Sequence, residues 1–396
     1  MKKVAVLVQN LHNGGAERMA ANLSLELAKY YKVYMIVFDG RDAIYPYGGE
    51  LIDLKVPPLA EGSAIERVKN TLRRVRRLRY LKKKLGIDCT ISHMEGANLV
   101  NILSRIRDKV YCVYHSMPSM CESGSGLNKL LHRFLAGHCE RYLTVSRLAE
   151  ADMAESFGVD ARKLSCIYNF CDLKKIHEWK ERELPAEAEA FYTAHPKVLV
   201  SMGRLTHMKA QDRLIRMLKE LREKEKGLGL LILGEGEERP ALLQLAEELD
   251  ISGHLYLPGE MEDPFPYLKH ADVFALPSDY EGLPMVLIEA AACALPVVSA
   301  DIPSGPREIL APDTDIRKRT EEIEYAKYGI LVPSCAAEPR RGPLSEREKL
   351  FSGAIGNLLE DPALYRRYRD SSEECAERFS ADHIIFEWRE LIEKGV

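Results

Sequence analysis

Two blocks of short apolar segments, separated by a charged stretch, constrain the fold of this chain more than any other feature. Segments rich in β-branched residues alternate with helical patterns over residues 4–168, and the alternation resumes over residues 197–332. Such alternation is typical of parallel βα units. Between the blocks, Asp172 to Pro196 contains several charged residues, Pro185 and no strand period, and we interpret it as an interdomain linker. The sequence therefore predicts an α/β fold with two Rossmann-like domains.

The predicted strands fall into two sets. The first set is Val4 to Gln9, Val33 to Phe38, Cys89 to Ser92, Val110 to Tyr114, Tyr142 to Val145 and Leu164 to Tyr168. The second set is Val198 to Met202, Leu230 to Leu233, His254 to Leu257, Val273 to Leu276, Val297 to Ser299 and Ile330 to Val332. A last segment, Ser380 to Lys394, has the spacing of an amphipathic helix at Ile384, Ile385, Trp388 and Ile392.

Composition is that of a globular protein. No run approaches the roughly 20 apolar residues of a membrane-spanning helix, and the first residues lack the pattern of a secretory signal. Nine cysteines without a Cys-x-x-Cys pair argue against a disulfide framework or a structural zinc site. From these features we expect a cytoplasmic protein.

The segment from Glu281 to Glu289 has two carboxylates eight residues apart, on a loop that runs into a predicted helix. Pro284 suits the first turn of a helix, where its missing N–H costs nothing. The free backbone N–H groups at such a helix start can bind a ligand phosphate. Glu281 would stand beside that phosphate, and Glu289 could reach another part of the same ligand, such as a ribose hydroxyl. The spacing also fits an N-cap acid followed by a solvated helix glutamate.

Two cations follow the first predicted strand of the second block. Arg204 comes directly after Gly203, and Lys209 lies five residues further on, in a predicted loop and helix start. A guanidinium and an ammonium at this place can hold a diphosphate, although two solvated cations on a loop are the ordinary alternative. Their position after a strand and a glycine, together with the Glu281 helix start, favours phosphate binding.

His115 follows the strand Val110 to Tyr114, so we expect it at the carboxyl edge of the first sheet, where α/β proteins bind ligands. A single histidine at such a place is more often structural. Gly14 and Gly15 come soon after the first strand, where the lack of a Cβ lets the backbone approach a ligand, and a plain turn is the alternative. Gly234 to Arg239 lacks the third glycine of the dinucleotide-binding pattern, so we interpret it as a turn and helix start.

Four of these segments, in this order along the chain, resemble the retaining glycosyltransferases of family 4, which have the two-domain GT-B architecture. They are Gly14-Gly15-Ala16-Glu17, His115, Gly203-Arg204-Leu205 with Lys209, and the paired glutamates Glu281 and Glu289. The resemblance implies two Rossmann-like domains with a cleft between them. It assigns residues 1–172 to acceptor binding, residues 173–379 to nucleotide-sugar binding, and the terminal helix 380–396 to a place on the first domain.

The resemblance also implies a role for each site residue. His115 and Glu281 would be catalytic, and the donor-binding residues would be Gly15, Arg204, Lys209, Gly282, Leu283 and Glu289. In this scheme Arg204 and Lys209 hold the diphosphate and Glu289 contacts the ribose. Ser116 departs from the Asn or Asp that is more frequent after the family's histidine. Because fixed cations and helix amides can neutralise a departing diphosphate, we expect neither a metal ion nor a cofactor.

The function that the resemblance implies is transfer of a hexosyl or N-acetylhexosaminyl group from a nucleoside-diphosphate sugar, expected to be a UDP-sugar, with retention of configuration. The acceptor would be a glycan or a lipid-linked saccharide in cell-surface polysaccharide synthesis. Two alternatives stay open: a sugar-nucleotide epimerase or phosphorylase-like enzyme of the same fold, and a non-catalytic sugar-nucleotide-binding scaffold.

The first 170 residues form the basic part of the chain. They hold 26 Lys and Arg against 17 Asp and Glu, a net charge of +9, which leaves −13 for the remainder. Much of the excess lies in a predicted helix, Ser63 to Leu85, which begins with a Ser63-x-x-Glu66 capping box and is stopped by Gly86. Its apolar residues recur at three- and four-residue steps: Ile65, Val68, Leu72, Val75, Leu78, Leu81 and Leu85.

The other face of this helix carries ten cations: Arg67, Lys69, Arg73, Arg74, Arg76, Arg77, Arg79, Lys82, Lys83 and Lys84. We expect it to bind an anionic membrane surface or the pyrophosphate of a lipid-linked acceptor through Arg73, Arg76, Arg77 and Lys83. This would place the protein on the inner face of the cell membrane. Nucleic acid is disfavoured as a partner, because Tyr80 is the only aromatic residue interleaved with the cations.

Overall fold

In the computed structural model of the chain, the described residues are 1–12, 14–41, 43–59, 63–121, 126–338 and 340–394. The chain divides into two compact units. The first unit comprises Met1–Phe170 and Ala381–Val396, and the second comprises Cys171–Ser380.

The first unit is built on a seven-stranded sheet. Its elements up to residue 170 are β1 (Lys3–Val8), α1 (Gly15–Ala28), β2 (Lys32–Val37), β3 (Glu50–Asp53), α2 (Ala64–Leu85), β4 (Cys89–His93), α3 (Glu95–Leu103), β5 (Lys109–Tyr114), α4 (Pro118–Cys121), α5 (Gly126–His138), β6 (Arg141–Thr144), α6 (Arg147–Glu155) and β7 (Leu164–Cys166). The strand order is β3-β2-β1-β4-β5-β6-β7, and every pairing is parallel. This order extends the 3-2-1-4-5-6 order of Rossmann folds by one strand.

The second unit has the same plan. Its elements are α7 (Leu173–Trp179), α8 (Ala186–Ala194), β8 (Lys197–Met202), α9 (Gln211–Lys224), β9 (Leu228–Leu233), α10 (Arg239–Glu248), β10 (Leu255–Gly259), α11 (Phe265–His270), β11 (Val273–Leu276), α12 (Met285–Ala292), β12 (Val297–Ala300), α13 (Pro306–Leu310), β13 (Glu324–Tyr325), β14 (Ile330–Val332), α14 (Glu346–Glu360) and α15 (Pro362–Glu377). The strand order is β10-β9-β8-β11-β12-β14-β13, with an antiparallel pairing at β13–β14. The prediction of two Rossmann-like α/β domains is confirmed.

The core of each unit consists of the inward faces of its sheet and helices. In the second unit, fully buried residues of β8 and β9, such as Leu199 and Leu230, pack with Leu214 and Leu218 of α9. Parallel strands covered by helices on both faces carry nearly continuous apolar runs, and this is the pattern in the sequence of β9, Leu228–Leu233.

The last helix, α16 (Ala381–Lys394), belongs to the first unit. Its apolar positions are buried as their spacing predicted, with Ile384 and Ile392 each 1% exposed. The Tyr111 hydroxyl of β5 donates a hydrogen bond to the Leu391 carbonyl at 2.9 Å. Residues 395 and 396, which the predicted helix range includes, lie outside the described residues.

The interpretation of Asp172 to Pro196 as a linker is wrong. This stretch forms α7 and α8 within the second unit. Trp179 holds α7 in place, because its ring packs against Phe265 with 6.4 Å between centroids and has Lys175 and Arg182 over its faces. Two of the charged residues that suggested a linker, Lys175 and Arg182, thus pack on an aromatic ring of the second unit.

The helix α2 begins and ends as predicted. Ser63 and Glu66 form the reciprocal capping box, and Gly86 takes the left-handed conformation with φ 64°. The expected division into an apolar and a basic face is correct only for the second half of the helix. Val75 and Leu78 are buried, whereas three apolar residues nearer the start are exposed: Ile65 (67%), Val68 (59%) and Leu72 (45%).

Lys82 does not belong to the basic face of α2. Its ammonium is fully buried, lies 2.7 Å from the Asp108 carboxylate and donates to the side-chain oxygen of Asn101 at 2.7 Å. Position 82 follows Leu78 by four residues, so the helix period turns it toward the sheet together with that leucine.

No helix within the described ranges is long and apolar enough to cross a membrane.

Candidate active site

The residues expected to bind a diphosphate lie together in the second unit, on loops that follow β8 and β11. Glu281 lies on the loop before α12, and α12 begins at Met285, directly after Pro284. Pro284 is the N-cap residue and not a residue of the first helical turn, so its predicted position is wrong by one residue. No side chain caps this helix start, so backbone N–H groups of its first turn are available to an anion.

Lys209 and Glu281 form an ion pair at this place. The ammonium of Lys209 lies 2.5 Å from Oε1 of Glu281, and the Ser278 hydroxyl donates to the same oxygen at 2.8 Å. Both side chains are largely buried, with 19% and 10% exposed. The pair joins the loop after β8 to the loop after β11, and it fixes the directions of an ammonium and a carboxylate next to the helix start.

Arg204 differs from Lys209 in being exposed, and its guanidinium has no ion-pair partner among the described residues. Gly203, its neighbour, lies against the side chain of Lys209: a Cβ at position 203 would be 3.9 Å from the lysine Nζ. The two cations therefore flank one stretch of backbone. Of the two, only Arg204 is free to turn toward a ligand without breaking a contact in the protein.

The glycines at 234 and 236 support the Arg204 loop. A Cβ at Gly234 would lie 2.1 Å from the Gly203 carbonyl oxygen, and one at Gly236 would lie 2.2 Å from the Leu205 carbonyl oxygen. The Leu205 amide donates to the Glu235 carbonyl at 2.8 Å. The segment is thus a turn before α10, as the sequence indicated, and its glycines are needed for this close approach of two backbones.

Three further residues were predicted to bind the nucleotide-sugar donor, Gly282, Leu283 and Glu289, and neighbouring residues hold this segment in place. The Gly282 carbonyl accepts a hydrogen bond from the Ser304 hydroxyl at 2.5 Å, and a Cβ at Gly305, where φ is 94°, would lie 2.2 Å from Cδ of Pro284. Leu283 is buried at 7% exposure. Glu289 is also 7% exposed, on α12. The turn at 304–305 therefore holds the backbone of residues 282–284 against the start of α12.

A cluster of charges that the sequence did not indicate holds the two loops in register. Asp279, two residues before Glu281, receives Arg213 at 2.6 Å and Arg340 at 2.5 Å. Arg340 also donates to the His207 carbonyl at 2.6 Å and pairs with Asp212 at 3.1 Å. Arg340 thus bridges the loop that carries Lys209 and the loop that carries Glu281. Arg340 and Asp279 are far apart in the sequence and no local pattern connects them, so the sequence could not predict this contact.

The predicted residues of the first unit lie at the carboxyl edge of its sheet. His115 directly follows β5, and His93 is the last residue of β4. Nδ1 of His93 and Nε2 of His115 are 2.8 Å apart, so the two rings share a hydrogen bond. Sequence reasoning missed His93, although its place at the end of the neighbouring strand could have identified it.

Gly14 and Gly15 form the start of α1, at the same edge of the first sheet. Gly14 is the N-cap residue in an extended conformation, without a side-chain cap. A Cβ at Gly14 would lie 1.9 Å from Oε2 of Glu17, because the carboxylate of Glu17 folds over the helix start. A Cβ at Gly15 would meet nothing within 4 Å. Because the Glu17 carboxylate is the end of a flexible side chain that can turn aside, packing does not require a glycine at position 14, and it gives no reason for one at position 15.

Burial sets the protonation of the two histidines. It lowers the pKa of His115 to about 4. The pKa of His93 is lowered well below its ordinary value, first by burial and then by the charge that His115 would carry. Both imidazoles are therefore neutral near pH 7, and neither acts as a cation toward a ligand. Within the described part of the chain, no group of three or more His, Cys, Asp and Glu is placed to hold a metal ion.

Two family models match the chain. The model described as Glycosyltransferase Family 4 matches residues 13–175, and the one described as Glycosyl transferases group 1 matches residues 187–320. Together they cover 297 of the 396 residues. The protein is a GT-B glycosyltransferase of the group 1 and family 4 type.

Similar proteins extend over most of the chain. An uncharacterized glycosyltransferase of Methanocaldococcus jannaschii is 29% identical over 339 residues, which are 81% of this chain and 83% of that protein. A Campylobacter jejuni enzyme is 25% identical over 386 residues, 96% of either protein. It is named N-acetylgalactosamine-N,N'-diacetylbacillosaminyl-diphospho-undecaprenol 4-alpha-N-acetylgalactosaminyltransferase. The structure of HepE from Anabaena in complex with UDP and glucose superimposes with a TM-score of 0.76 over all of both chains, at 16% identity.

Proposed function

We propose that this protein is a retaining glycosyltransferase that moves a hexosyl or N-acetylhexosaminyl group from a UDP-sugar to a glycan or lipid-linked saccharide in polysaccharide synthesis. The observation that carries the proposal is the Lys209–Glu281 pair beside the uncapped start of α12, with the exposed Arg204 next to it. These groups offer two cations and helix amides to a diphosphate, and a carboxylate to the hydroxyls of the attached sugar.

The similar proteins support the choice of donor and acceptor. The HepE structure holds UDP and glucose on the same fold. The name of the Campylobacter enzyme describes an acceptor saccharide joined through a diphosphate to undecaprenol. A lipid-linked saccharide of this kind also accounts for the basic surface of α2, described below.

In the reaction that we propose, the bond between the anomeric carbon and UDP breaks, and the acceptor hydroxyl enters on the same face of the sugar. The hydroxyl proton passes to an oxygen of the departing phosphate, so no carboxylate needs to act as a nucleophile. Arg204, Lys209 and the amides of α12 stabilise the charge that develops on the diphosphate. Glu281 orients the sugar hydroxyls and Glu289 the ribose, and no divalent cation takes part.

His115 would contact the donor sugar near the reacting bond. With a pKa of about 4, its ring is neutral at the pH of turnover, so it contributes a hydrogen bond and no net charge. Gly15, at the start of α1, would let the donor phosphates approach the backbone, since nothing in the described structure fills the space that its Cβ would occupy.

The experiment that tests this function is a donor panel scored by release of nucleoside diphosphate, with and without lipid-linked saccharide acceptors. We expect release of UDP that depends on an acceptor, and a product whose new linkage has the anomeric configuration of the donor by NMR. Isomerisation of the sugar nucleotide without an acceptor would identify an epimerase. Tight binding of UDP-sugars without turnover on any acceptor would identify a binding scaffold, and an inverted product would contradict retention.

The surface of α2 supports contact with an anionic lipid or a lipid pyrophosphate. Six of its cations are exposed and have no partner among the described residues: Arg67, Lys69, Arg73, Arg76, Lys83 and Lys84. The apolar side chains of Ile65, Val68 and Leu72 are exposed on the first half of the same helix. A helix that exposes both cations and apolar side chains is suited to the interface of an anionic bilayer.

Arg77, the fourth cation expected in this contact, also makes hydrogen bonds within the protein. Its guanidinium donates to the carbonyls of Leu54 and Lys55, directly after β3. Together with Arg76 and Tyr80 it lines a groove of about 480 Å³ between β3 and α2. Arg77 therefore supports the wall of this groove, and the proposed membrane contact rests on Arg73, Arg76 and Lys83.

Co-sedimentation with vesicles containing anionic lipid tests this surface. Changing Arg73, Arg76 and Lys83 to Gln should weaken binding by about 3 kcal/mol at low salt, because each cation near an anionic surface contributes about 1 kcal/mol. High salt should remove most of the difference. A matched variant with Lys224, Lys226 and Arg366 changed to Gln, all exposed in the second unit, should bind as the wild type does. Equal pelleting of the two triple variants would show that α2 is an ordinary solvated surface.

A further inference from the structure

His93 and His115 form an imidazole pair at the ends of two adjacent parallel strands. Their rings are 5.1 Å apart between centroids and inclined by 27°, and the 2.8 Å contact joins Nδ1 of His93 to Nε2 of His115. In a hydrogen bond between two neutral imidazoles, one ring nitrogen is the donor and the other is the acceptor. The position of the proton decides which nitrogen of His115 carries the hydrogen that a ligand meets.

The surroundings of His93 determine its tautomer. The residue is 2% exposed, and its buried Nε2 has no hydrogen-bond partner among the described residues. The small cavity that it lines has a volume of about 10 Å³ and is bounded mostly by apolar side chains, among them Met19, Leu23, Val113 and Trp388. That volume is at the lower limit for one water, and besides His93 itself the polar lining residues are Tyr168 and Asn169.

Buried N–H groups without a partner are rarer in proteins than under-satisfied buried acceptors. Nε2 of His93 is therefore the nitrogen without a hydrogen, and the proton of this ring is on Nδ1. Nδ1–H of His93 then donates to Nε2 of His115. Because Nε2 of His115 accepts this bond, the proton of the neutral His115 ring is on its own Nδ1.

Nδ1 of His115 is the nitrogen left for a ligand. The ring is half-buried, and none of the described residues makes a hydrogen bond with this nitrogen. Burial lowers the pKa of His115 to about 4, so a second proton does not disturb the pair near pH 7.

We propose that His93 is a positioning residue that fixes His115 as the Nδ1–H tautomer, so that His115 presents a hydrogen-bond donor and not a base to the sugar nucleotide. The ligand in this statement rests on the proposed function, whereas the tautomer does not. A donor suits oxygen atoms that gain negative charge as the bond to UDP breaks. It also agrees with a mechanism in which a phosphate oxygen, and not a side chain, takes the proton of the acceptor.

The tautomer can be read directly by NMR of protein labelled with ¹⁵N in its histidine rings, with the His115 signals assigned from their loss in His115→Asn. We expect a protonated, pyrrole-type Nδ1 and an unprotonated, pyridine-type Nε2 at His115. In His93→Leu the His115 ring should revert to the Nε2–H form that free imidazole side chains favour. In His93→Asn, whose amide reaches the position of the histidine Nδ1, the Nδ1–H form should persist. The exposed His138→Leu is the matched control and should leave the His115 signals unchanged.

Kinetics supply the second readout. His93→Leu should lower kcat by about 10- to 100-fold with unchanged UDP affinity, and His93→Asn should recover most of the loss. An Nε2–H tautomer at His115 in the wild type, or an Nδ1–H tautomer that survives in His93→Leu, would overturn the proposal. The wild-type spectrum decides the point even where His93→Leu does not fold. Absence of any transferase activity would refute the proposed function alone, because the spectra do not depend on turnover.

Discussion

The Lys209–Glu281 pair leads to a quantitative prediction about UDP binding that distinguishes the two cations. Arg204→Ala removes an exposed guanidinium that has no hydrogen-bond or ion-pair partner among the residues that the structure describes. The variant should lose one charge-assisted hydrogen bond, about 1.5–3 kcal/mol, which weakens UDP binding roughly 10- to 150-fold.

Lys209→Ala should cost more than Arg204→Ala. It removes a similar hydrogen bond, and it also leaves the Glu281 carboxylate, 10% exposed, without its cation and with the Ser278 hydroxyl at 2.8 Å as a hydrogen-bond donor. An unpaired carboxylate roughly 6 Å from a phosphate adds about 1–3 kcal/mol of repulsion at an effective dielectric constant of about 20–40. The double variant Lys209→Ala with Glu281→Gln should therefore bind UDP more tightly than Lys209→Ala alone, by about that amount.

Titration calorimetry at one fixed ionic strength measures these differences. The exposed Lys226→Ala in the same unit is the control for loss of a single positive charge. Unchanged UDP affinity in both Arg204→Ala and Lys209→Ala would refute the assignment of the diphosphate to this place. Equal losses in these two variants, with no recovery in the double variant, would refute the argument from the paired carboxylate while leaving the assignment intact.

Three further predictions concern chemistry, stability and metal dependence. His115→Ala should lower kcat about 100-fold and leave UDP affinity near the wild-type value, since the diphosphate groups lie on the second unit; weaker UDP binding in calorimetry would count against this division. Lys82→Met should lower the free energy of unfolding by about 3–5 kcal/mol in urea denaturation, because its buried partner carboxylate is left unpaired, whereas the exposed Lys84→Met should change it by less than about 0.5 kcal/mol. Excess EDTA should leave the initial rate of transfer unchanged, and loss of activity that Mg²⁺ or Mn²⁺ restores would contradict the metal-independent mechanism.

Much of the fold could be predicted because the central strands of these parallel sheets are largely apolar. Segments such as Leu228–Leu233 are buried on both faces, so they can be recognised in the sequence as continuous apolar runs. Two strands were missed, and both are short and lie at sheet edges. β3, Glu50–Asp53, is only partly buried and includes two acids, and β13, Glu324–Tyr325, has two residues. Edge strands need neither length nor continuous apolar character, so their sequences carry little signal.

The helix α2 shows a different limit of sequence reasoning. Its period and both caps were correct, because these depend on local geometry. Which of its apolar residues are buried depends on how far the helix extends beyond the sheet that it covers. Val75 and Leu78 lie over that sheet, while Ile65 and Val68 do not, although all four belong to the same series of three- and four-residue steps. Lys82 was expected on the solvent side because of its charge. It lies in the half of the helix that covers the sheet, and its side chain is buried beside Asp108.

The individual groups of the candidate site could be found from the sequence, because each follows a strand in the familiar order. The ion pairs that hold these groups in place could not be predicted from the sequence. Asp279 is held by Arg213 from α9 and by Arg340 from the loop before α14, and a carboxylate that is 19% exposed and accepts hydrogen bonds from two guanidinium groups has a fixed position. Since Asp279 lies two residues from Glu281 and Arg340 also binds the carbonyl of His207, the distance between the Lys209 loop and the Glu281 loop is set by a residue outside both. The geometry offered to a diphosphate therefore depends on charge pairing over more than a hundred residues of sequence, which no local motif encodes.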